Sequence, residues 1–110
     1  MKFLVLVSFC CFLSLSLMAQ TSWENARFEV MGNCNMCKKT IEKAAAVKGV
    51  KKAKWDKKTK ILSVTFDPKQ TGLDKIQLQI AAAGYDTPKY RANDETYESL
   101  HSCCHYDRKK

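Results

Sequence analysis

Histidine is almost missing from this chain: only His101 and His105 occur, both close to its end. The rest has no imidazole for a Ser/His/Asp set, and neither a phosphate-binding loop nor a paired-carboxylate signature stands in its place. Hydrolytic and phosphoryl-transfer chemistry therefore find no support. Proline is as scarce, at Pro68 and Pro88 alone. Long apolar runs reduce to one, Phe3 to Leu17, about fifteen residues where a spanning helix needs roughly 20. No internal repeat, low-complexity tract or aromatic-rich basic ribbon is present. The formal net charge of +8 thus reads as scattered lysines on a solvated face, and nucleic acid is not an expected partner.

The apolar run follows Met1-Lys2 and ends at Ala19 before polar Gln20-Thr21-Ser22. One positive charge, a short apolar stretch and a small residue before a polar switch describe a secretory signal peptide over residues 1–19. The expected product is exported, periplasmic or secreted, and starts with a flexible leader over 20–25. Its core must be small, so a metal or a cross-link would matter to its stability.

Six cysteines are present. Cys10 and Cys11 fall in the expected signal peptide, which leaves Cys34, Cys37, Cys103 and Cys104. Four cysteines in an exported chain invite a disulfide reading with three connectivities. These four come as two tight pairs, which suit metal or redox chemistry better than stapling.

Residues 26–31 alternate, with Phe28 and Val30 on one face and Arg27 and Glu29 on the other, as in a strand. The loop Gly32-Asn33-Cys34-Asn35-Met36-Cys37 follows. From Cys37 the spacing of Ile41, Ala44, Ala45 and Val47 predicts a helix that Gly49 ends. Residues 50–56 and 61–66 read as hairpin arms around Lys57-Lys58-Thr59-Lys60, the second with Leu62, Val64 and Phe66 inward. A second helix starts near Thr71–Asp74, carries Leu73, Ile76, Ile80 and Ala83 on its apolar stripe, and ends at Gly84. Tyr85 to Tyr90 reads as a last, edge strand containing Pro88. The order βαββαβ implies an α+β, ferredoxin-like sandwich: an antiparallel sheet with both helices on one face. Beyond it, residues 91–110 form a separate tail. Asn93 as N-cap, early acidic residues and a basic end predict a helix over about 94–105, with Tyr97, Leu100 and Cys104 on one face.

Cys34-x-x-Cys37 after the first strand, Val47-x-Gly49-Val50, Val64-x-Phe66-Asp67-Pro68 and Ala82-x-Gly84-Tyr85 together resemble the heavy-metal-associated domain family. That family includes copper chaperones, soluble domains of metal-pumping ATPases and a periplasmic mercuric-ion carrier. The resemblance runs from about Phe28 to Asp86 and assigns the domain to residues 26–90. The family loop usually reads Gly-Met-Thr-Cys-x-x-Cys; here Met31-Gly32-Asn33 precedes Cys34, so the usual tethering Met is displaced and Met31 becomes its candidate replacement in the core. The resemblance implies a metallochaperone or carrier, not an enzyme, acting as a monomer that exchanges its ion with a membrane metal transporter or another carrier.

Two thiols and no nearby histidine suit a soft d10 ion in near-linear coordination: Cu(I) first, with Hg(II) also open. Zn(II), which prefers four ligands, is a lesser candidate. Cys37, just inside the helix, should be the thiol of lowered pKa, with Lys38 and Lys39 adding positive potential and Cys34 the more mobile thiol. Transfer would proceed by attack of a partner's thiol through a three-coordinate intermediate. The resemblance places Tyr85 beside the loop, where it either shields the sulfurs or packs over the core edge. Met36 reads as loop filler or core rather than a thioether ligand.

His101-x-Cys103-Cys104-His105 is a second candidate ligand set. The expected last strand would run roughly 20 Å away from the loop, and an eleven-residue helix returns about 16 Å. The tail can therefore bring Cys103 and Cys104 near Cys34 and Cys37, either as further ligands or as an oxidised pair. A thiol–disulfide oxidoreductase is the runner-up, because a CxxC pair at a helix start is apt chemistry for it. Against it, Asn33 stands where a thioredoxin has an aromatic residue, and neither proline is well placed to face the pair.

Overall fold

The computed structural model describes residues 21–109; the signal peptide expected over 1–19 lies outside them. Strand β1 spans Glu24–Glu29, helix α1 Asn35–Ala45, strand β2 Val50–Trp55, strand β3 Ile61–Phe66, helix α2 Leu73–Ala82 and a short helix α3 Asp94–Glu98, followed by a 3-10 turn Ser102–Cys104. The strands form one antiparallel sheet in the order β1-β3-β2. Phe28 pairs with Leu62, and Leu62 with Trp55; Ala26 pairs with Val64, and Val64 with Ala53. This register puts the apolar members of each strand on one face, against Ile41 of α1 and Ile76 and Ile80 of α2, all buried. The result is the α+β, ferredoxin-like arrangement.

The expected last strand does not form. Residues 85–90 carry no strand pairing. Only the Met31 N–H, donating to the Asp86 carbonyl at 3.1 Å, marks the position beside β1 that a fourth strand would fill. Thr87 and Tyr90 close a turn around Pro88, with the Thr87 N–H on the Tyr90 carbonyl at 2.8 Å. Proline has no N–H for a ladder and suits the bend better than the strand.

Other boundaries shift for local reasons. Helix α1 stops at Ala45, before Gly49, because residues 46–49 make a separate turn in which Gly49 takes φ +99°. That turn is pinned to the end of β3 by the Asp67 N–H on the Gly49 carbonyl at 2.8 Å. On α2, Leu73 is 36% exposed, whereas Gln77 and Ala81 are buried beside Ile76 and Ile80. The buried stripe is thus rotated relative to the expected Leu73–Ala83 line. In the tail, the helix ends at Glu98 rather than near 105. The Ser99 hydroxyl donates to the Thr96 carbonyl at 2.7 Å, and His101 is extended at φ −56°, ψ 148°. Local side-chain bonding of this kind competes with helix continuation.

Gly84 shows why the tail can lie where it does. Its φ is +110°, and an added Cβ would stand 2.9 Å from Leu100 Cδ2. A Gly84→Ala substitution combines left-handed strain with a clash against the docked tail, and is expected to cost about 2 kcal/mol. A denaturant midpoint unchanged from that of the parent chain would contradict this.

Candidate metal centre

The Gly32–Cys37 loop is held from below and from the side. Trp55, 1% exposed, donates its indole N–H to the Val30 carbonyl at 3.0 Å. A Cβ on Gly32 would lie 3.1 Å from both Trp55 and Ile41, so the loop sits directly on these two side chains. Lys60 Nζ donates to the Gly32 carbonyl at 2.6 Å. Across the loop, the Asn33 carboxamide, in the orientation that satisfies both its groups, accepts from the Tyr106 N–H at 3.3 Å. A hairpin residue and a tail residue therefore fix the entrance to α1.

Cys34 is the N-cap of α1 and Cys37 the third helical residue. Their sulfurs lie 3.2 Å apart, and the Cys34 N–H points at Cys37 Sγ at 3.4 Å. The tail brings the other pair to the same place. Cys34 Sγ is 2.9 Å from Cys103 Sγ and 3.4 Å from Cys104 Sγ. Cys37 and Cys104 form a disulfide with a Cα–Cα separation of 5.8 Å, within the range that a disulfide spans. Both are buried, whereas Cys34 is half-buried and Cys103 exposed. The sulfurs of Cys34, Cys37 and Cys104 lie within 4.8 Å of one another.

The sequence assigns the low-pKa thiol to Cys37, which here is joined to Cys104 and has no thiol to titrate; of the two free thiols, Cys34 is the lowered one. Partial burial works against its charged form, but the hydrogen bond from Cys103 and backbone N–H groups of Cys37 and Met36 outweigh it and hold the thiol below its usual range. Those N–H groups are unpaired donors of the first helical turn, and the N-cap is best placed to receive them. Cys103 is shifted the other way, chiefly by its hydrogen bond to Cys34, then by burial and by the Cys34 charge. Cys34 thus accepts and Cys103 donates.

The tail is anchored by contacts that involve no sulfur. The Tyr106 hydroxyl accepts from the Asp86 N–H at 2.9 Å and donates to the Gly84 carbonyl at 2.8 Å. Burial pushes its pKa well above the usual phenol range. Tyr97 donates its hydroxyl proton to the Tyr106 carbonyl at 2.6 Å. Arg108 grips Asp86 with two N–H donors at 2.9 Å each, and reaches Asp94 at 2.8 Å and the Ala92 carbonyl at 2.6 Å. Its guanidinium also lies over the Tyr97 ring at 4.7 Å.

The remaining expected site residues divide. Tyr85 is buried, 6.1 Å from the Tyr106 ring centroid. Burial raises its hydroxyl pKa, a hydrogen bond with Thr40 opposes this, and the nearby Cys34 and Cys103 charges reinforce it. It both fills the core and stands next to the sulfurs. Met36 is 46% exposed and fills neither loop nor core, because it occupies the outer side of the first helical turn. Lys38 gives its ammonium to Glu42 at 2.5 Å and to the Trp55 carbonyl at 2.9 Å, so it ties α1 to β2 instead of adding free positive charge at the thiols. His101 and His105 are exposed and join no cluster of potential metal ligands among the described residues. His101 precedes the 3-10 turn in extended backbone. His105 turns its Nε2 toward the Glu98 carbonyl at 3.2 Å and its ring toward Tyr97. Tyr106, Arg108 and Asp86 are the residues that sequence reasoning missed; the one local hint was an aromatic and a cation closing a tail that also carried cysteines.

The heavy-metal-associated domain family matches residues 31–86. No curated protein sequence matches the chain. Among solved structures, the CopZ metallochaperone is 26% identical, over 58% of this chain and 98% of its own, with a TM-score of 0.56. Oxidised MerP from Ralstonia metallidurans CH34 is 32% identical over 60% of this chain and 94% of its own, with a TM-score of 0.57. The water-soluble region of the P-type ATPase CopA from Bacillus subtilis is 30% identical over 63% of this chain and 47% of its own, with a TM-score of 0.58. With the CxxC pair at the start of α1, the sheet and the two helices as described, this chain belongs to the heavy-metal-associated domain family.

Proposed function

We propose that this protein is an extracytoplasmic soft-metal carrier that, when reduced, takes Cu(I) as its cargo between Cys34 and Cys37 and passes it on by ligand exchange. The observation that carries this reading is the pair of sulfurs 3.2 Å apart at the start of α1, on a loop braced by Trp55, Ile41 and Lys60. Two thiolates with neutral Asn33 and Asn35 beside them suit a d10 ion. Cys34, the more accessible of the two, is where a partner's thiol would enter; a three-coordinate intermediate then lets the ion move without ever being bare. The metallochaperone and the ATPase domain among the similar structures support a transporter or another carrier as partner, and a non-enzymatic role. MerP supports Hg(II) as the alternative cargo.

Cys34→Ser or Cys37→Ser in the reduced chain is expected to abolish tight Cu(I) binding in competition with a chromophoric chelator, with the fold retained by circular dichroism. Unchanged affinity in both variants would sink the carrier reading. The second reading, a thiol–disulfide oxidoreductase, draws on the Cys37–Cys104 disulfide with Cys34 Sγ in reach of both its sulfurs. Multiple turnovers in an insulin-reduction assay would favour it.

A further inference from the structure

The tail thiols are delivered to the loop by a scaffold of their own. Asn33, Tyr97, Tyr106 and Arg108 hold the chain on either side of the Ser102–Cys104 turn through hydrogen bonds that do not depend on the disulfide. The four sulfurs consequently stay together when Cys37–Cys104 is reduced. Their separations suit one coordination sphere. A zinc-class ion with metal–sulfur bonds of about 2.3 Å has sulfur–sulfur edges of about 3.8 Å in a tetrahedron. Cys103 and Cys104 already stand 4.0 Å apart, and Cys34 stands 2.9, 3.2 and 3.4 Å from the other three. Moves of about 1 Å or less open the three Cys34 edges. Cys37 and Cys104 part once they are reduced, and Cys103, which lies outside the 4.8 Å group of Cys34, Cys37 and Cys104, has to swing in toward Cys37. Two of the four positions, Cys37 at 0% and Cys104 at 1% exposure, are shut off from water, as in closed structural thiolate sites.

We infer that Cys103 and Cys104 complete, with Cys34 and Cys37, a four-thiolate site that binds a tetrahedral divalent d10 ion of the zinc class. This goes beyond carriage of a two-coordinate ion and shares with it only the loop thiols. Loading requires reduction of the disulfide: a dithiol gives up two electrons and two protons, Cys37 and Cys104 become thiols, and the dithiol becomes its own disulfide. The ion then displaces the protons of all four thiols. In this state the tail sulfurs occupy the approach that a partner's thiols would take, so the ion is retained rather than handed on.

The test uses Zn(II) and Cd(II) separately with the reduced chain starting at Gln20, which has only Cys34, Cys37, Cys103 and Cys104, and with its Cys103→Ser and Cys103→Ser/Cys104→Ser variants. X-ray absorption counts sulfurs around Cd(II), and a competing chelator gives the Zn(II) affinity. Four sulfurs are expected in the parent chain, three in C103S and two in the double variant, with Zn(II) affinity falling on the order of a hundredfold or more. Cys103 is exposed, so C103S reports on ligation without disturbing the core. Fewer than four sulfurs in the parent chain, or a count and affinity unaltered in C103S, overturns the inference. Cu(I) binding by the double variant is measured in parallel: its loss counts against the two-thiol carrier reading and leaves the four-sulfur count to stand or fall by itself.

Discussion

Oxidised protein, with Cys37 and Cys104 joined, is expected to bind Cu(I) roughly a hundredfold or more weakly than the reduced protein. The disulfide takes the buried thiol of the CxxC pair out of use. Cys34 and Cys103 remain, but Cys34 accepts the Cys103 proton and holds that thiol above its usual pKa, so an ion entering there must first displace it. The comparison needs chains that start at Gln20, sorted by mass to show two free thiols among Cys34, Cys37, Cys103 and Cys104 before reduction and four after, each titrated against the same chelator. Equal affinities would mean that Cys37 is dispensable for binding. Stability should move the opposite way. The disulfide closes a sequence separation of 67 residues, for which chain entropy predicts about 4 kcal/mol. Reduction should therefore lower the melting temperature, and the bound ion should raise it again.

Arg108→Ala is expected to cost about 3 kcal/mol and to release the tail. The Arg108 side chain is 11% exposed, and its removal leaves the buried Asp86 carboxylate with only the Ala92 N–H at 2.7 Å and Arg91 at 3.9 Å. Denaturant unfolding of the reduced forms measures the cost. The release shows as slower formation of Cys37–Cys104 from reduced chains, since the tail no longer presents its thiols at high effective concentration. A variant that re-oxidises at the parent rate would show that the sulfurs, rather than the salt bridge, position the tail.

The same pair sets a pH dependence. Burial favours protonated Asp86, but the Arg108 hydrogen bonds, the Ala92 N–H and the Arg108 and Arg91 charges outweigh it, so its carboxyl lies below the usual range. A depressed folded-state pKa gives stability that is fully present above the unfolded value, near 4, and is lost as pH falls through the folded value. Acid should thus loosen the tail below about pH 4 in the parent chain. R108A should show much less of this dependence.

Where a determinant is local, the amino-acid order suffices. Strand β3 falls on the expected residues, Ile61–Phe66, because Leu62, Val64 and Phe66 alternate between a polar turn and Asp67-Pro68. Cys34 and Cys37 meet because a three-residue step at a helix start puts two side chains on one side, whatever the rest of the chain does. The same spacing could not say that Cys37 would be joined to Cys104 and Cys34 left as a free, lowered thiol, since that depends on where the tail docks. Nor could periodicity foresee that Lys38 would spend its charge on Glu42 and the Trp55 carbonyl.

The sequence by itself determined the element order as far as α2, the apolar face of each strand and the CxxC loop at the start of α1, all of which follow from steric and hydrophobic preferences within a few residues. Only the tertiary structure decided that Asp86 would meet Arg108, that Tyr106 would satisfy the Gly84–Asp86 backbone in place of a fourth strand, and that Cys103 and Cys104 would reach Cys34 and Cys37 while His101 and His105 would not. These are contacts between groups up to 70 residues apart. Their free energy depends on burial and mutual geometry, which exist only once the chain has closed on itself.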